Sequence, residues 1–356
     1  MKSKRTQDGF DSLENRLSII GCGALGLTAA AYYTSKGYQI LLCDSEKRLE
    51  KEKRVLMETG IYLEGTLSYE KPVKLCKVTE NMEECAGFSK RILVCTSADR
   101  HQETAQAIAP FIKSHHMVLI IPGNAGSVLF RKAFEAAGSG AAATAELSES
   151  LWSCRKQGAG RVFVASTLQE KRIAAYPSND TRRVMDGFGG LFEAVPGKHI
   201  VETVLNSPNV VSHLAGAVLN AGEIEKKGKE FALFQDGLSE IFISCIEKLE
   251  EERNQVLKKN GMEIYHPPSK DLLKALKDYR CHPELDEFRA LKGPDSFRHR
   301  YVTEDASCGV ALLVSLGRRT GVKLPLTEAF LKIVDSVNGE NSLIHGRTWE
   351  NLFGER

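Results

Sequence analysis

The sequence predicts an α/β fold in which a doubly wound, mainly parallel sheet is followed by an all-α C-terminal domain. Three observations predict it. A glycine-rich turn joins a short apolar strand to a helix near the start of the chain. Apolar strands then alternate with helical patterns up to about residue 190, which is typical of a parallel sheet covered by helices on both faces. Beyond that point the patterns are almost wholly helical.

The first strand–helix–strand unit contains the glycine-rich turn. Residues 17–20 predict a buried strand, residues 24–36 a helix that stops at Gly37, and residues 38–43 a second strand. The turn itself has the Gly-x-Gly-x-x-Gly spacing, which indicates dinucleotide binding when a strand precedes it and a helix follows it. The alternative interpretation is an ordinary glycine-rich turn of some other α/β domain, with no role in binding a dinucleotide.

Each glycine of the turn has a physical role in such a site. Gly21 permits the tight turn, Gly23 lets the backbone approach a pyrophosphate, and Gly26 lets the helix pack against the strand. The free N–H groups of Ala24 and Leu25, at the helix N-terminus, would then face the phosphates.

Asp44, at the end of the second predicted strand, bears on the choice of cofactor. A carboxylate here can accept hydrogen bonds from the adenosine ribose hydroxyls, and its charge would repel the 2′-phosphate of NADP. The sequence therefore favours NAD. Ser45, Lys47 and Arg48 follow directly and could contact a 2′-phosphate, so NADP stays open, although a solvated helix face also explains these residues.

Two further predicted strands, 91–95 and 117–121, end in small or flexible residues. Thr96 and Ser97 follow the first strand, and a Pro-Gly-Asn-Ala-Gly turn containing Asn124 follows the second. Since ligands bind at the carboxyl ends of strands in open α/β sheets, we expect Thr96 and Ser97 to contact the cofactor and Asn124 the substrate. A plain turn explains the second segment equally well.

The domain organisation follows from the change in pattern. The candidate helices after the change are 213–221, 231–258, 272–279, 306–319 and 326–337. We expect a loose N-terminal extension at 1–15, a dinucleotide-binding domain at 16–190 and a helical substrate domain at 191–356.

Composition is that of an ordinary soluble globular protein, with 42% hydrophobic and 26% charged residues. The net charge of +2 gives no reason to expect nucleic acid or a membrane as a partner. The sequence contains no run of about 18 apolar residues, so no membrane-spanning helix is predicted. Nine cysteines without a Cys-x-x-Cys pair suggest reduced thiols and a cytoplasmic location.

Candidate acid–base residues lie in the helical half. His213 could protonate a carbonyl oxygen as hydride arrives, because imidazoles titrate near neutral pH. A structural histidine is the local alternative. Asp305 could orient such a histidine and Arg300 could clamp a carboxylate, but locally Asp305 also suits the first turn of a helix capped by Thr303. No His, Cys and carboxylate spacing resembles a metal site.

The ordered motifs resemble the octopine/nopaline (opine) dehydrogenase family from about residue 16 to 353. They are Gly-Cys-Gly-Ala-Leu-Gly at 21–26, Cys-Thr-Ser-Ala-Asp-Arg-His at 95–101, Pro-Gly-Asn-Ala-Gly at 122–126, Ala-Glu-Leu-Ser-Glu-Ser-Leu-Trp-Ser-Cys-Arg at 145–155, Asn-x-x-Asn-x-x-x-His at 206–213 and Arg-Tyr-Val-Thr-Glu-Asp at 300–305. Each motif is weak alone, and their order and context carry the resemblance.

The resemblance implies a Rossmann domain, an all-helical domain and an active site between them. It implies NAD(P)H-dependent reductive condensation of an α-keto acid, such as pyruvate, with the amine of an amino acid. Carried onto this sequence, His213 is the acid–base residue, Asp305 its partner and Arg300 the carboxylate-binding residue. The sequence departs from the family at two places beside the implied site. Leu214 follows the histidine where the family often has Pro, and residues 306–309 lack the Pro and the aromatic residue expected more often after Asp305. Both departures concern the identity of the two substrates.

Two other functions stay open. A keto-acid reductase of the ketopantoate reductase type would need no amine and would typically use a lysine of its second domain, and the Asn-x-x-x-His segment argues against it. A non-catalytic dinucleotide sensor predicts that replacing His213 leaves function intact. We expect small-molecule substrates as partners; a homodimer stays open, since no heptad seam stands out.

Overall fold

The computed structural model describes residues 15–265 and 268–354. The predicted extension at 1–15 lies outside these ranges except for its last residue. Within them, the strands in chain order are β1 (Arg16–Ile20), β2 (Gln39–Cys43), β3 (Tyr62–Gly65), β4 (Lys77–Thr79), β5 (Arg91–Val94), β6 (Met117–Ile120), β7 (Ala143–Leu147), β8 (Cys154–Gly158), β9 (Arg161–Val164), β10 (Lys171–Tyr176) and β11 (Ala194–Pro196).

The large sheet has the strand order β11-β10-β7-β6-β5-β1-β2-β4. Neighbouring strands run parallel except β10, which is antiparallel to β7. The helices of this half are α1 (Ala24–Ser35), α2 (Glu46–Leu49), α3 (Lys53–Glu58), α4 (Met82–Phe88), α5 (His101–Ile108), α6 (Gly126–Ala136) and α7 (Thr181–Phe188). Separate apolar clusters cover the two faces, so the central strands are buried on both sides and read as continuous apolar runs.

A second, three-stranded sheet has the order β3-β9-β8 and packs against α1. Residues 45–58, a single charged stretch in the sequence, form the two short helices α2 and α3. The buried carboxylate of Glu52 lies between them and accepts a hydrogen bond from the backbone N–H of Gly160 at 3.0 Å. That bond joins the turn between β8 and β9 of the small sheet to the segment that contains α2 and α3.

The helical half begins after β11. Its helices are α8 (Ile200–Leu205), α9 (Asn209–Leu219), α10 (Ala221–Lys227), α11 (Leu233–Asp236), α12 (Glu240–Lys259), α13 (Ser269–Lys277), α14 (Asp286–Arg289), α15 (Arg300–Asp305), α16 (Ala311–Thr320), α17 (Pro325–Asn338), α18 (Ser342–His345) and α19 (Trp349–Phe353). No helix among the described residues has the length and apolar character needed to cross a bilayer.

Two predicted helix boundaries are wrong for local reasons. The single helix expected at 231–258 is instead the two helices α11 and α12. They are separate because the Ser239 hydroxyl caps the start of α12 by accepting a hydrogen bond from the Phe242 N–H at 3.1 Å. Thr303 does not begin a helix. It lies inside α15, which the ring nitrogen Nδ1 of His299 caps by accepting from the Tyr301 N–H at 3.2 Å.

Glu252 on α12 caps the N-terminus of α17. Its buried carboxylate accepts the Leu326 N–H at 2.9 Å, and the Thr327 N–H at 2.9 Å and hydroxyl at 2.7 Å. Glu252→Ala should therefore lower the free energy of unfolding by about 2–3 kcal/mol, because three buried donors lose their acceptor. Urea denaturation measures this, and the exposed neighbour Glu251→Ala should stay within about 0.5 kcal/mol of the parent. Equal effects of both changes would contradict the capping role.

The helical half packs on the α6 and β10 side of the large sheet. One apolar cluster joins Ala125, which precedes α6, Val128 of α6 and Ala174 of β10 to α8. This contact leaves the carboxyl ends of the central parallel strands facing α9 and α15. The fold therefore creates a cleft at the edge of the sheet where ligands bind in this architecture.

Candidate active site

A cleft of about 1150 Å³ separates the carboxyl ends of β1, β2, β5 and β6 from helices α9, α11, α13, α14 and α15. Of the residues predicted from sequence to form the site, those that line it are Gly21, Gly23, Ala24, Leu25, Asp44, Thr96, Ser97, His213 and Arg300. Gly26, Asn124 and Asp305 are not among the lining residues and lie behind them.

The glycine turn has the shape that a dinucleotide requires. Gly21 has φ +115°, and a Cβ there would lie 2.9 Å from the Cys95 carbonyl. A Cβ on Gly26 would lie 1.8 Å from the Gly21 oxygen, so the helix could not approach the strand. A Cβ on Gly23 meets nothing within 4 Å, since this position faces the open cleft. Steric contact within the protein thus explains two of the glycines, and the third leaves space in the cleft through which a pyrophosphate could approach the backbone.

The N-terminus of α1 opens onto the same space. Gly23 begins the helix without a side-chain cap, and no acidic residue occupies the first turn. The first N–H groups, including those of Ala24 and Leu25, therefore have no intrahelical acceptor and carry the positive end of the helix dipole. These residues fit a pyrophosphate, which supplies the missing acceptors.

Asp44 lies where a ribose-binding carboxylate would, but the protein already engages it. Oδ2 accepts the Cys22 N–H at 2.8 Å. Oδ1 accepts the Ser45 N–H at 2.8 Å and a guanidinium N–H of Arg100 at 2.9 Å. Burial favours the neutral acid, but the Cys22 amide and the Arg100 guanidinium outweigh it and lower the pKa of Asp44. Asp44 is therefore an ionised carboxylate whose charge Arg100 balances, a partner that the sequence analysis missed.

The turn after β6 is built around a buried acid. Asn124 and Ala125 have φ 49° and 62°, a left-handed conformation that side chains seldom adopt. Glu146 on β7 holds it by accepting the Ala125 N–H at 2.9 Å and the Ser127 N–H at 3.0 Å. The Asn124 amide points away from the cleft and donates to Oε1 of Glu304 at 3.2 Å. Its predicted contact with substrate stays a prediction.

The loop after β5 contributes an unused hydroxyl. Thr96 is buried and lines the cleft, and its Oγ1 has no hydrogen-bond partner among the described residues. Ser97 lies beside it and begins the turn that leads to Arg100. Buried polar atoms without partners are rare, so Thr96 is suited to hydrogen-bond a ligand in the cleft.

His213 and Asp305 form a buried pair. Nδ1 of His213 lies 2.6 Å from Oδ2 of Asp305, although 92 positions separate them in the chain. Tyr301, one turn before Asp305 on α15, stacks on the imidazole with ring centroids 3.8 Å apart and an interplanar angle of 11°. No other described residue bonds to the ring, so Nε2 is left for a ligand. The carboxylate fixes the Nδ1–H tautomer, and the tyrosine fixes the ring plane.

Arg300 presents a guanidinium group to the cleft. Its side chain lines the cleft and makes no hydrogen bond or ion pair with any residue in the described part of the chain. Burial disfavours its charge, but the negative potential of Glu304 and the neighbouring Asp305 outweighs burial and raises the pKa of Arg300. Such a guanidinium is suited to bind a carboxylate through two parallel hydrogen bonds.

Two contributors behind the lining residues were also missed. Glu304 is buried, accepts the Ala98 N–H at 3.2 Å and leaves Oε2 unpartnered within the described ranges. Burial raises its pKa, against the lowering influence of Arg300. The spacing from Arg300 to Glu304, one helical turn, could have indicated it. Arg347 donates to the carbonyl oxygens of Ala98 and Asn124, so the helical half holds both cofactor-side loops, and no local pattern indicates this.

The lysines of the cleft come from the sheet half. Among the lining residues these are Lys156, which pairs with Glu52 at 2.8 Å, and Lys171, which pairs with Glu149 at 2.8 Å. No lysine from the described residues of the helical half lines the cleft, and no group of metal-ligating side chains was found in the same ranges. Two described histidines of the helical half line the cleft, His213 and His299. Nδ1 of His299 caps α15, whereas His213 is paired with Asp305 and stays the predicted acid–base residue.

Comparison with known proteins agrees with this organisation. A family model described as NAD/NADP octopine/nopaline dehydrogenase, alpha-helical domain, matches residues 196–338, and a ketopantoate reductase PanE/ApbA model matches residues 17–130. An opine dehydrogenase of Arthrobacter sp. (strain 1C) is 26% identical over 345 residues, covering 94% of each protein.

Solved structures share the fold at lower identity. Octopine dehydrogenase with NADH and L-arginine has a TM-score of 0.69 at 16% identity, covering 93% of this chain and 92% of that chain. Yersinopine dehydrogenase with NADP+ bound has a TM-score of 0.65 at 15% identity, covering 96% and 95%. The predicted fold class, a Rossmann-type sheet followed by a helical domain, is confirmed. The helical half of the chain thus matches the alpha-helical domain of octopine/nopaline dehydrogenases, and nearly the whole chain is similar to an opine dehydrogenase, which confirms the resemblance that the ordered motifs predicted.

Proposed function

We propose that the protein catalyses nicotinamide-dependent reductive condensation of an α-keto acid with the amine of an amino acid, and the reverse oxidation. One observation carries the proposal. His213 and Arg300 line the same cleft that begins at the glycine turn, and Asp305 supports His213 from behind. The keto acid brings a carboxylate for Arg300 and a carbonyl oxygen for His213. The glycine turn and α1 hold the dinucleotide.

The chemistry assigns one proton-transfer role to His213. The amine adds to the keto carbon, and the oxygen must be protonated before it leaves as water and the imine forms. In this proposal His213 donates that proton from Nε2; the contact of Nδ1 with Asp305 supports the assignment, because the carboxylate would stabilise the imidazolium. When bound, the reduced nicotinamide supplies the hydride that converts the protonated imine to the secondary amine. Arg300 holds the carboxylate throughout, which fixes the reacting carbon.

The far wall of the cleft supports an amino acid with an apolar side chain as the amine substrate. Phe234 and Phe288 stack there with centroids 5.1 Å apart, and Leu273, Leu285 and Leu291 line the same wall. This wall packs on the cluster that contains Val211 and Ala215 of α9, the helix that carries His213. An apolar side chain would bury its surface against these rings and leucine side chains, although Asp271 and Glu284 line the cleft beside them.

The first experiment is to follow NADH and NADPH oxidation with pyruvate or another keto acid, alone and with amino acids grouped by side chain. Oxidation that requires both substrates supports reductive condensation, and the apolar group should give the fastest rate. Oxidation with the keto acid alone would instead support the reductase, whose family model matches the sheet half. Dinucleotide binding without turnover in any mixture would favour the sensor.

Gly23→Ala separates cofactor binding from folding. Its backbone, with φ −73° and ψ −177°, is open to any residue, and the added Cβ meets no protein atom. Stability should therefore stay unchanged, while the methyl group occupies the approach of the pyrophosphate and raises the dinucleotide Kd about tenfold or more. Calorimetric titration measures this. Gly87→Ala is the control, because the added Cβ also meets open space but lies on α4, which does not line the cleft. Unchanged dinucleotide binding by Gly23→Ala would mean that the dinucleotide binds elsewhere.

A further inference from the structure

The carboxylate at the end of β2 is almost saturated by the protein. Asp44 is 1% exposed and accepts three hydrogen bonds, from the N–H groups of Cys22 and Ser45 and from Arg100. A carboxylate that distinguishes the two nicotinamide dinucleotides does so through free acceptor sites for ribose hydroxyls and through a negative charge that repels the 2′-phosphate. Here the protein occupies most acceptor sites, and the ion pair balances the charge.

Arg100 has capacity left beyond this ion pair. Its side chain is 16% exposed and lines the cleft beside Asp44. One guanidinium nitrogen lies 2.9 Å from Oδ1 of Asp44, and the remaining N–H groups have no acceptor among the described residues. Arg48 lines the same end of the cleft, exposed and without an ion pair in the described ranges. Two guanidinium groups therefore accompany one carboxylate at the end of β2.

We propose that Arg100 is the specificity-determining residue of the adenosine-ribose end of the cleft, and that it admits NADPH alongside NADH. It does so in two ways: the ion pair cancels the repulsion that Asp44 would exert on a 2′-phosphate, and the unused N–H groups can bond its oxygens. This proposal rests on the proposed function, because it assumes that the glycine turn binds a nicotinamide dinucleotide. It accounts for a site in which the residue typical of NAD enzymes meets a guanidinium suited to a phosphate.

The test is calorimetric titration of NAD+ and NADP+ into the parent protein and its variants. The two ligands differ only in the 2′-phosphate, so the ratio of their Kd values isolates this group. The parent should bind both with Kd values within about tenfold of each other. Arg100→Ala should raise the Kd of NADP+ by about 30-fold or more and that of NAD+ by about threefold at most, because Asp44 is then an unpaired charge.

Two further variants keep the proposal falsifiable. Arg100→Ala combined with Asp44→Asn removes the exposed charge and should restore about half of the lost NADP+ affinity, measured on a logarithmic scale. Arg100→Lys, which keeps the charge and loses the planar fork, should fall between the parent and Arg100→Ala. The control is Arg54→Ala, which removes an exposed arginine that does not line the cleft and should change neither Kd.

The outcomes separate the two proposals. Equal weakening of NAD+ and NADP+ by Arg100→Ala, or a parent Kd for NADP+ about 1,000-fold above that for NAD+, would overturn the role of Arg100 while leaving dinucleotide binding intact. Absence of binding by either dinucleotide to the folded parent would overturn the proposed function itself. Thermal unfolding of each variant, measured without ligand, establishes that the altered protein is folded before titration.

Discussion

His213→Ala should lower kcat by about 100-fold or more and leave the Kd of the dinucleotide within about threefold of the parent value. The reason is chemical. Loss of water from the amine adduct requires a proton at the keto oxygen. The two ring nitrogens of His213 differ in this respect: Nδ1 lies 2.6 Å from Oδ2 of Asp305, which leaves Nε2 to donate the proton. Among the described residues, the glycine turn and α1, which would bind the dinucleotide, make no hydrogen bond to either side chain of this pair.

The measurement is steady-state turnover with both substrates, together with calorimetric titration of the dinucleotide. His213→Ala leaves Asp305 without its partner in a buried site, so Asp305→Asn provides an independent variant of nearly the same shape. It should also lower kcat, because the neutral amide cannot stabilise the imidazolium. His115→Ala, at an exposed histidine before β6, is the control. Unchanged turnover in His213→Ala would remove this residue from the mechanism.

Arg300→Ala should raise the KM of the keto acid by about 100-fold, with a smaller change in kcat and none in dinucleotide affinity. The free protein gives this arginine no hydrogen bond or ion pair within the described residues. Its removal breaks no hydrogen bond but takes away the positive charge that faces Glu304 and Asp305, so thermal unfolding of the variant is measured beside its KM. Arg300→Lys keeps the charge without the planar fork and should recover part of the affinity.

The control for Arg300 lies two positions earlier. Arg298 is exposed and does not line the cleft, so Arg298→Ala should leave the KM unchanged. The amine KM gives a second comparison: it should change less than the keto-acid KM if Arg300 binds the keto-acid carboxylate. A loss confined to dinucleotide binding would contradict the assigned role, and equal increases in both KM values would assign Arg300 to the adduct rather than to one substrate.

The first half of the fold could be predicted because its determinants are local. The strand, the glycine turn and α1 lie within 20 successive residues, from Arg16 to Ser35, and each is specified by its own residues. The small sheet could not be predicted in this way. Its strands β3 and β9 pair in parallel although about a hundred positions separate Tyr62 from Arg161, so the pairing depends on packing against α1.

The candidate site shows the same division. Residues 300–305 suggested chemistry, yet the local pattern placed Asp305 in the first turn of a helix, and it lies at the last residue of α15. Its contact with His213 exists only after α9 packs on α15. The resemblance to a family supplied the pairing that spacing alone could not. The ion pair between Asp44 and Arg100 joins residues 56 positions apart, and no motif indicated it. Asp44 was therefore expected to be a free charge, which is why the sequence favoured NAD.

The contacts of Arg347 have a consequence for the order in which the molecule matures. This guanidinium bonds the carbonyl oxygen of Ala98, which precedes it by 249 positions, and that of Asn124. During synthesis the sheet residues leave the ribosome long before Arg347 is made. The nascent sheet can assemble early, but the two loops at its edge acquire their final anchor only when the last helices dock. We therefore expect ligand binding that needs both loops in this arrangement to begin only after the helical half has docked.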